Sequence, residues 1–120
     1  MEFTNSKRTS WRNNDKNVSV ELDGVISSMY YELNDLVAYL VGPDKHNINE
    51  LIVYDIDGNK MCRVFPPDGF QFEYLVNHPS AKVCVICGVV DLASSGEKWS
   101  DFYFGLDIVS GKLNKIGIAR

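Results

Sequence analysis

The chain is short of nearly every feature that announces a function by itself. No apolar run approaches the roughly 20 residues needed to cross a bilayer, and the first 17 residues have no apolar h-region of the kind a secretory leader carries. Cytoplasmic residence is therefore the expectation. Its three cysteines, Cys62, Cys84 and Cys87, are an odd number and make no extracellular disulfide framework. Cys84 and Cys87 have the CxxC spacing, but they fall within 82–90, which reads as a strand. Residues three apart on a strand point to opposite faces, whereas redox pairs and zinc knuckles need a turn or helix start to bring two sulfurs together. Small core residues are the expected role.

Phosphate-binding loops, dinucleotide fingerprints, nucleophile elbows and EF-hand loops are also missing. The two histidines, His46 and His78, have no neighbouring Cys, His or carboxylate set at ligand spacing. No cofactor and no metal are expected. Asp55 and Asp57 could pass for a carboxylate pair, but the matching place later in the chain holds Asp107 and Val109. An aspartate just before a hairpin glycine ordinarily accepts backbone N–H bonds of the turn.

Charge is unevenly spread. Residues 1–17 carry Lys7, Arg8, Arg12 and Lys16 against Glu2 and Asp15, a balance of +2. The rest of the chain has 8 basic and 14 acidic side chains, a balance of −6. An acidic body repels the phosphate backbone, so direct nucleic-acid binding is disfavoured and a basic partner is favoured. The aromatic residues on strands are interleaved with Gln71, Glu73 and Gly105 rather than with Lys or Arg, which suits a core or a protein interface better than RNA stacking.

What the sequence does contain is alternation. Residues 1–17 have no hydrophobic period and read as a mobile polar arm, docked at most through Trp11 or Phe3. From Val18 onward the chain reads as one domain, 18–120, of short strands. Residues 25–41 fit either an amphipathic helix ended by Gly42 and Pro43, giving an α+β fold, or two strands at about 25–33 and 36–42 joined at Asn34 and Asp35. The abundance of Val, Ile and Tyr favours strands, and so does repetition. The stretch 30–42 corresponds to 72–88 with a longer turn, and 52–60 corresponds to 103–112. Each unit, about 18–67 and 68–120, reads as strand, turn, strand, variable loop, strand, glycine turn, strand.

Four strands in a period of roughly 45 residues resemble a β-propeller blade, and the stretches 54–60 and 106–112 are similar to the outer hairpins of such blades. Two blades cannot close a ring. The expected fold is all-β, with two four-stranded antiparallel meanders packed as a sandwich or, alternatively, dimerised through their faces.

In general character, over 18–120, the chain also resembles the immunity proteins of bacterial polymorphic-toxin and contact-dependent growth-inhibition systems. The duplicated sheets and the closing segment 107–117 (DIVSGKLNKIG) carry that resemblance. It implies a non-enzymatic antitoxin that neutralises a cognate toxin domain, often a basic nuclease, by covering its active site. The residues expected to bind the partner are Asp91, Glu97, Trp99 and Asp101 in the loop 91–101, then Asp44 and Glu50 in the loop 44–50. Both loops join the second and third strands of their units and are expected at one end. Trp99 on a polar loop would anchor an interface or fold back over the sandwich. The other readings are a structural or homodimeric module and a small enzyme with a dispersed site.

Overall fold

The computed structural model describes residues 9–119. Ten strands dominate it. A first hairpin, β1 (Ser10–Asn13) and β2 (Lys16–Ser19), precedes two meanders. Sheet one is β3 (Val25–Tyr31), β4 (Leu36–Val41), β5 (Glu50–Asp55) and β6 (Lys60–Val64). Sheet two is β7 (Phe70–His78), β8 (Ala81–Val89), β9 (Asp101–Asp107) and β10 (Lys112–Ile118). Every strand in a sheet pairs antiparallel with its neighbour in sequence. The ambiguous stretch 25–41 is thus two strands. A single 3-10 turn, Glu32–Asn34, joins them, and Asp35 takes a left-handed conformation after it. Asp35 also accepts a 2.9 Å bond from the Tyr30 hydroxyl, which fastens the turn to its own strand.

The inner faces of the two sheets form one core. Leu36, Ala38, Leu40, Leu51 and Val53 meet Phe72, Leu75, Val83, Val85, Cys87, Phe102, Phe104 and Leu106. Tyr31 ties the sheets further, because its hydroxyl lies 2.8 Å from the Val76 carbonyl and 2.9 Å from that of Cys84. The CxxC pair behaves as its strand setting requires, with Cys87 in this core and Cys84 on the opposite face, both buried. Burial pushes both thiols up, Cys84 to about 11 and Cys87 to about 12, so neither is poised as a thiolate.

The sheets cross rather than run alongside each other. Tyr31 and Val64 end β3 and β6 at opposite ends of sheet one. Yet residues 30–34 share a groove with 77–82, and 63–65 share another with 111–114, and both of those partners lie at the same end of sheet two. Diagonal corners of sheet one therefore rest on one end of sheet two. The opposite end of sheet two, at Phe70, Val89, Asp101 and Ile118, projects beyond the overlap.

The expectation of a polar arm over 1–17 is corrected from Ser10 on; residues 1–8, with Phe3, lie outside the described residues. Asn14 and Asp15 both take positive φ, 49° and 65°, which makes the tight turn that matches the twist of a hairpin. Trp11 pairs directly with Val18 and is only 4% exposed. With Val18 and Val20 it covers the outer face of sheet one, over Val37, Tyr39, Val41, Ile52 and Tyr54. Its indole N–H donates to the Ile56 carbonyl at 2.8 Å. This second layer explains why all six residues of β4 are buried despite strict strand alternation. Val18 and Val20 accordingly belong to the cover and not to a strand of the first meander.

The shared hairpin device is an aspartate, but not the one expected. Asp55, rather than Asp57, accepts the turn N–H groups of Asp57 and Asn59, each at 2.9 Å. Asp107 does the same for Val109 and Ser110 in the second unit. An aspartate at the first turn position reaches the N–H two residues on, whereas one at the third cannot fold back on the same loop.

Candidate partner-binding site

At the projecting end of sheet two one lysine lies over the inner-face rings of Phe70 and Phe102. Lys115 lies opposite Phe104 on β10, so its side chain starts on the inner face. Its ammonium sits 4.1 Å from the Phe102 ring centre and 5.4 Å from that of Phe70, over their electron-rich faces. Glu97 then closes on it from the loop at 2.8 Å. With both partners about a third exposed, the ion pair itself contributes at most about 1 kcal/mol. Its larger effect is to hold the loop across the open end of the core.

That loop contains a short helix, α1 (Leu92–Ser95), capped by Asp91. The Asp91 carboxylate accepts the Ser94 hydroxyl at 2.7 Å and the Ser94 N–H at 3.4 Å, and these bonds hold its pKa below the usual aspartate range. Gly96 ends the helix in the left-handed conformation. Around this frame stand Val90, Leu92 and Trp99, 62%, 43% and 49% exposed. A group of large apolar side chains at one end, rimmed by carboxylates, has the make-up of an interface core and its polar border.

Asp101 opens β9 on the other face. It pairs with Gly88, and a side chain at Gly88 would run into the carboxylates of Glu73 and Asp101. Glu73 is the extra residue of a bulge in β7, which leans it across the sheet. Sequence reading did not single it out, because a bulge shifts the register without leaving a mark in composition. The acidic border of this end is therefore Asp91, Glu97, Asp101 and Glu73.

Asp44 and Glu50 are elsewhere. Glu50 closes the loop 44–50 beside Arg63 of β6, and Arg63 lines the groove shared with 111–114, at the end of sheet two away from the loop 91–101. The expectation of one shared end fails because crossed sheets send equivalent loops in different directions. Asp44 folds its own loop, accepting the His46 N–H at 2.8 Å and the Asn47 amide at 3.1 Å, and these bonds lower its pKa. Glu50 forms a two-pronged ion pair with Arg63 on β6, one bond at 2.9 Å, and that partner lowers its pKa. Arg63 in turn lies over the Phe65 ring.

The histidines are apart from both loops. His78 Nδ1 accepts the Ser80 N–H at 3.1 Å within its hairpin turn, and its ring lies tilted against that of Tyr103, the centres 4.9 Å apart. Among the described residues no three His, Cys, Asp or Glu side chains are grouped to hold a metal ion, and no helix is long and apolar enough to cross a membrane. Set against models of known protein families, curated proteins and solved structures, the chain matches none of them.

Proposed function

We propose that the protein is a non-catalytic binding module of the immunity type, which neutralises a basic toxin domain in the cytoplasm by laying the projecting end of sheet two over that domain's active site. The observation that supports this reading is the exposure of Val90, Leu92 and Trp99 together, framed by Asp91, Glu97, Asp101 and Glu73. Carboxylates steer a basic partner and occupy a cleft built for phosphate, which raises the association rate. A desolvated tryptophan then slows release.

The test is to isolate the complex from native cells and compare variants for binding to the co-purified toxin domain. Trp99→Ala with Glu97→Ala is expected to weaken binding by at least about 100-fold, the scale of an interface hot spot. Asp44→Ala is expected to leave it unchanged. Equal affinity for the wild type and the double variant would remove this surface from consideration. A second reading, an oligomeric module, is favoured by a different observation, the face of sheet two that no other described strand covers.

A further inference from the structure

The two meanders are alike, yet their outer faces are treated differently. That of sheet one lies under the β1–β2 hairpin. On sheet two the corresponding face has three rows. Gln71, Gly88 and Asp101 form the first, with Glu73 leaning over Gly88. Tyr74, Ile86 and Tyr103 form the second, and Val76, Cys84 and Gly105 the third, with Ile116 packed over Gly105. Ile86 and Cys84 are almost fully buried by their neighbours, while Tyr74 stands 55% exposed above them. Toward the hairpin ends the face broadens into a groove of about 320 Å³ lined by Lys82, Asp107, Asn114 and Ile116 among others.

We propose that a second copy of this chain covers this face, the two sheets meeting about a twofold axis that lies in the interface and perpendicular to the strands. Charge selects both the occupant and the orientation. Glu73 and Asp101 mark one end of the face. Lys82 and Lys112 mark the other, where the single carboxylate, Asp107, is bonded into its own turn. Six residues separate Gly88 from Lys82 on β8, or about 20 Å. The stated axis lays the acidic end of each copy on the basic end of the other, whereas an axis along the strands would stack carboxylate on carboxylate. A uniformly basic partner would match one end and oppose the other.

The sheet edges offer no competing route. All four edge strands carry a bulge, with Ile26 the extra residue on β3, Met61 on β6, Glu73 on β7, and Ile116 on β10. Bulged edges resist extension by another strand. The face itself spans roughly 450 Å² per copy from strand spacing and rise, at the low end for specific complexes, so association is reversible and concentration-dependent. The proposal shares Glu73 and Asp101 with the toxin-binding reading but rests besides on Tyr74, Lys82 and Lys112, which that reading does not use, so Tyr74→Lys and Trp99→Ala tell the two apart.

Sedimentation equilibrium of the purified chain, from roughly 10 μM to 1 mM, tests it. The mean mass is expected to climb from the monomer's 13.5 kDa toward twice that value. Tyr74→Lys, at an exposed site that leaves folding intact by circular dichroism, is expected to weaken association by at least about tenfold. Glu73→Lys and Lys82→Glu are each expected to weaken it, and the two together to restore it. A monomer at every concentration, a dimer indifferent to Tyr74→Lys, or a charge swap that restores nothing would overturn the proposal.

Discussion

Replacing Trp11 by alanine probes the feature of this fold that composition conceals, its hairpin cover. The indole is 4% exposed and lies against residues that have almost no other shield, and its N–H is bonded to the Ile56 carbonyl. Truncating a buried tryptophan costs about 3–5 kcal/mol. The abandoned carbonyl, which water can partly reach, adds at most about 1 kcal/mol. For a domain of 120 residues the unfolding entropy is about 0.25 kcal/mol per kelvin, so the midpoint should fall by roughly 12–24 °C. Thermal unfolding followed by far-ultraviolet circular dichroism measures this directly. Trp11→Phe keeps most of the buried ring and should lose less than half as much. Trp99→Ala, at a half-exposed position, should stay within about 1 kcal/mol of the parent. A Trp11→Ala protein within about 1 kcal/mol of the parent would mean that the hairpin does not hold the outer face, and the account of the buried β4 would fall with it.

Three further outcomes are expected. Tyr31→Phe should cost about 1–2 kcal/mol, since one hydroxyl proton serves two inter-sheet carbonyls that are left short of a donor; an unchanged urea midpoint would show that the bond does not join the sheets. Gly42→Ala should destabilise by about 2 kcal/mol or more, because an added methyl would lie 2.0 Å from the Asn47 carbonyl oxygen and 2.9 Å from the Ile48 Cα, backbone atoms that cannot swing away; the same chemical denaturation series measures it. Stability should be level from about pH 6 to pH 8 and fall at higher pH. Burial raises the folded pKa values of Tyr31, Tyr39, Cys84 and Cys87 above their ordinary values. The folded state thus keeps protons that the unfolded chain releases, and stability is lost as pH rises from the ordinary values through the folded ones. Thiol labelling and phenolate absorbance should accordingly develop with unfolding, and complete reaction of Cys84 and Cys87 in the native protein would contradict the burial argument.

Much of the fold was legible because meanders write themselves locally. Alternation, Asp-Gly and Ser-Gly turns and the correspondence of 30–42 with 72–88 place all eight strands of the two sheets within a few residues of where they lie. Repetition also decided 25–41, where periodicity alone gave two answers. The hairpin was missed because its apolar face is only Trp11 and Val18, and two residues set no period. Its signal was Asn14 and Asp15, a pair that tolerates the left-handed conformation, placed midway between them. The candidate site was partly legible. Asp91, Glu97, Trp99 and Asp101 do share the projecting end of sheet two, but Asp44 and Glu50 do not, and Glu73 joins only through a bulge. The angle at which two sheets cross depends on side chains meeting across the core, which no local pattern encodes.

The cover hairpin also bears on the order in which the molecule assembles. Each sheet is closed by contacts between strands adjacent in the chain, so each meander can zip up over short loops. The bond from Trp11 to Ile56 spans 45 residues, and those from Tyr31 to Val76 and Cys84 span 45 and 53. Closing spans of that length gains nothing until the surfaces they join exist. The hairpin is translated before the sheet it covers, yet has nothing to rest on until β4 and β5 have paired. It is therefore the earliest part of the described chain to be made and among the last to settle, and until it does the outer rows of sheet one stand bare to solvent and to other chains.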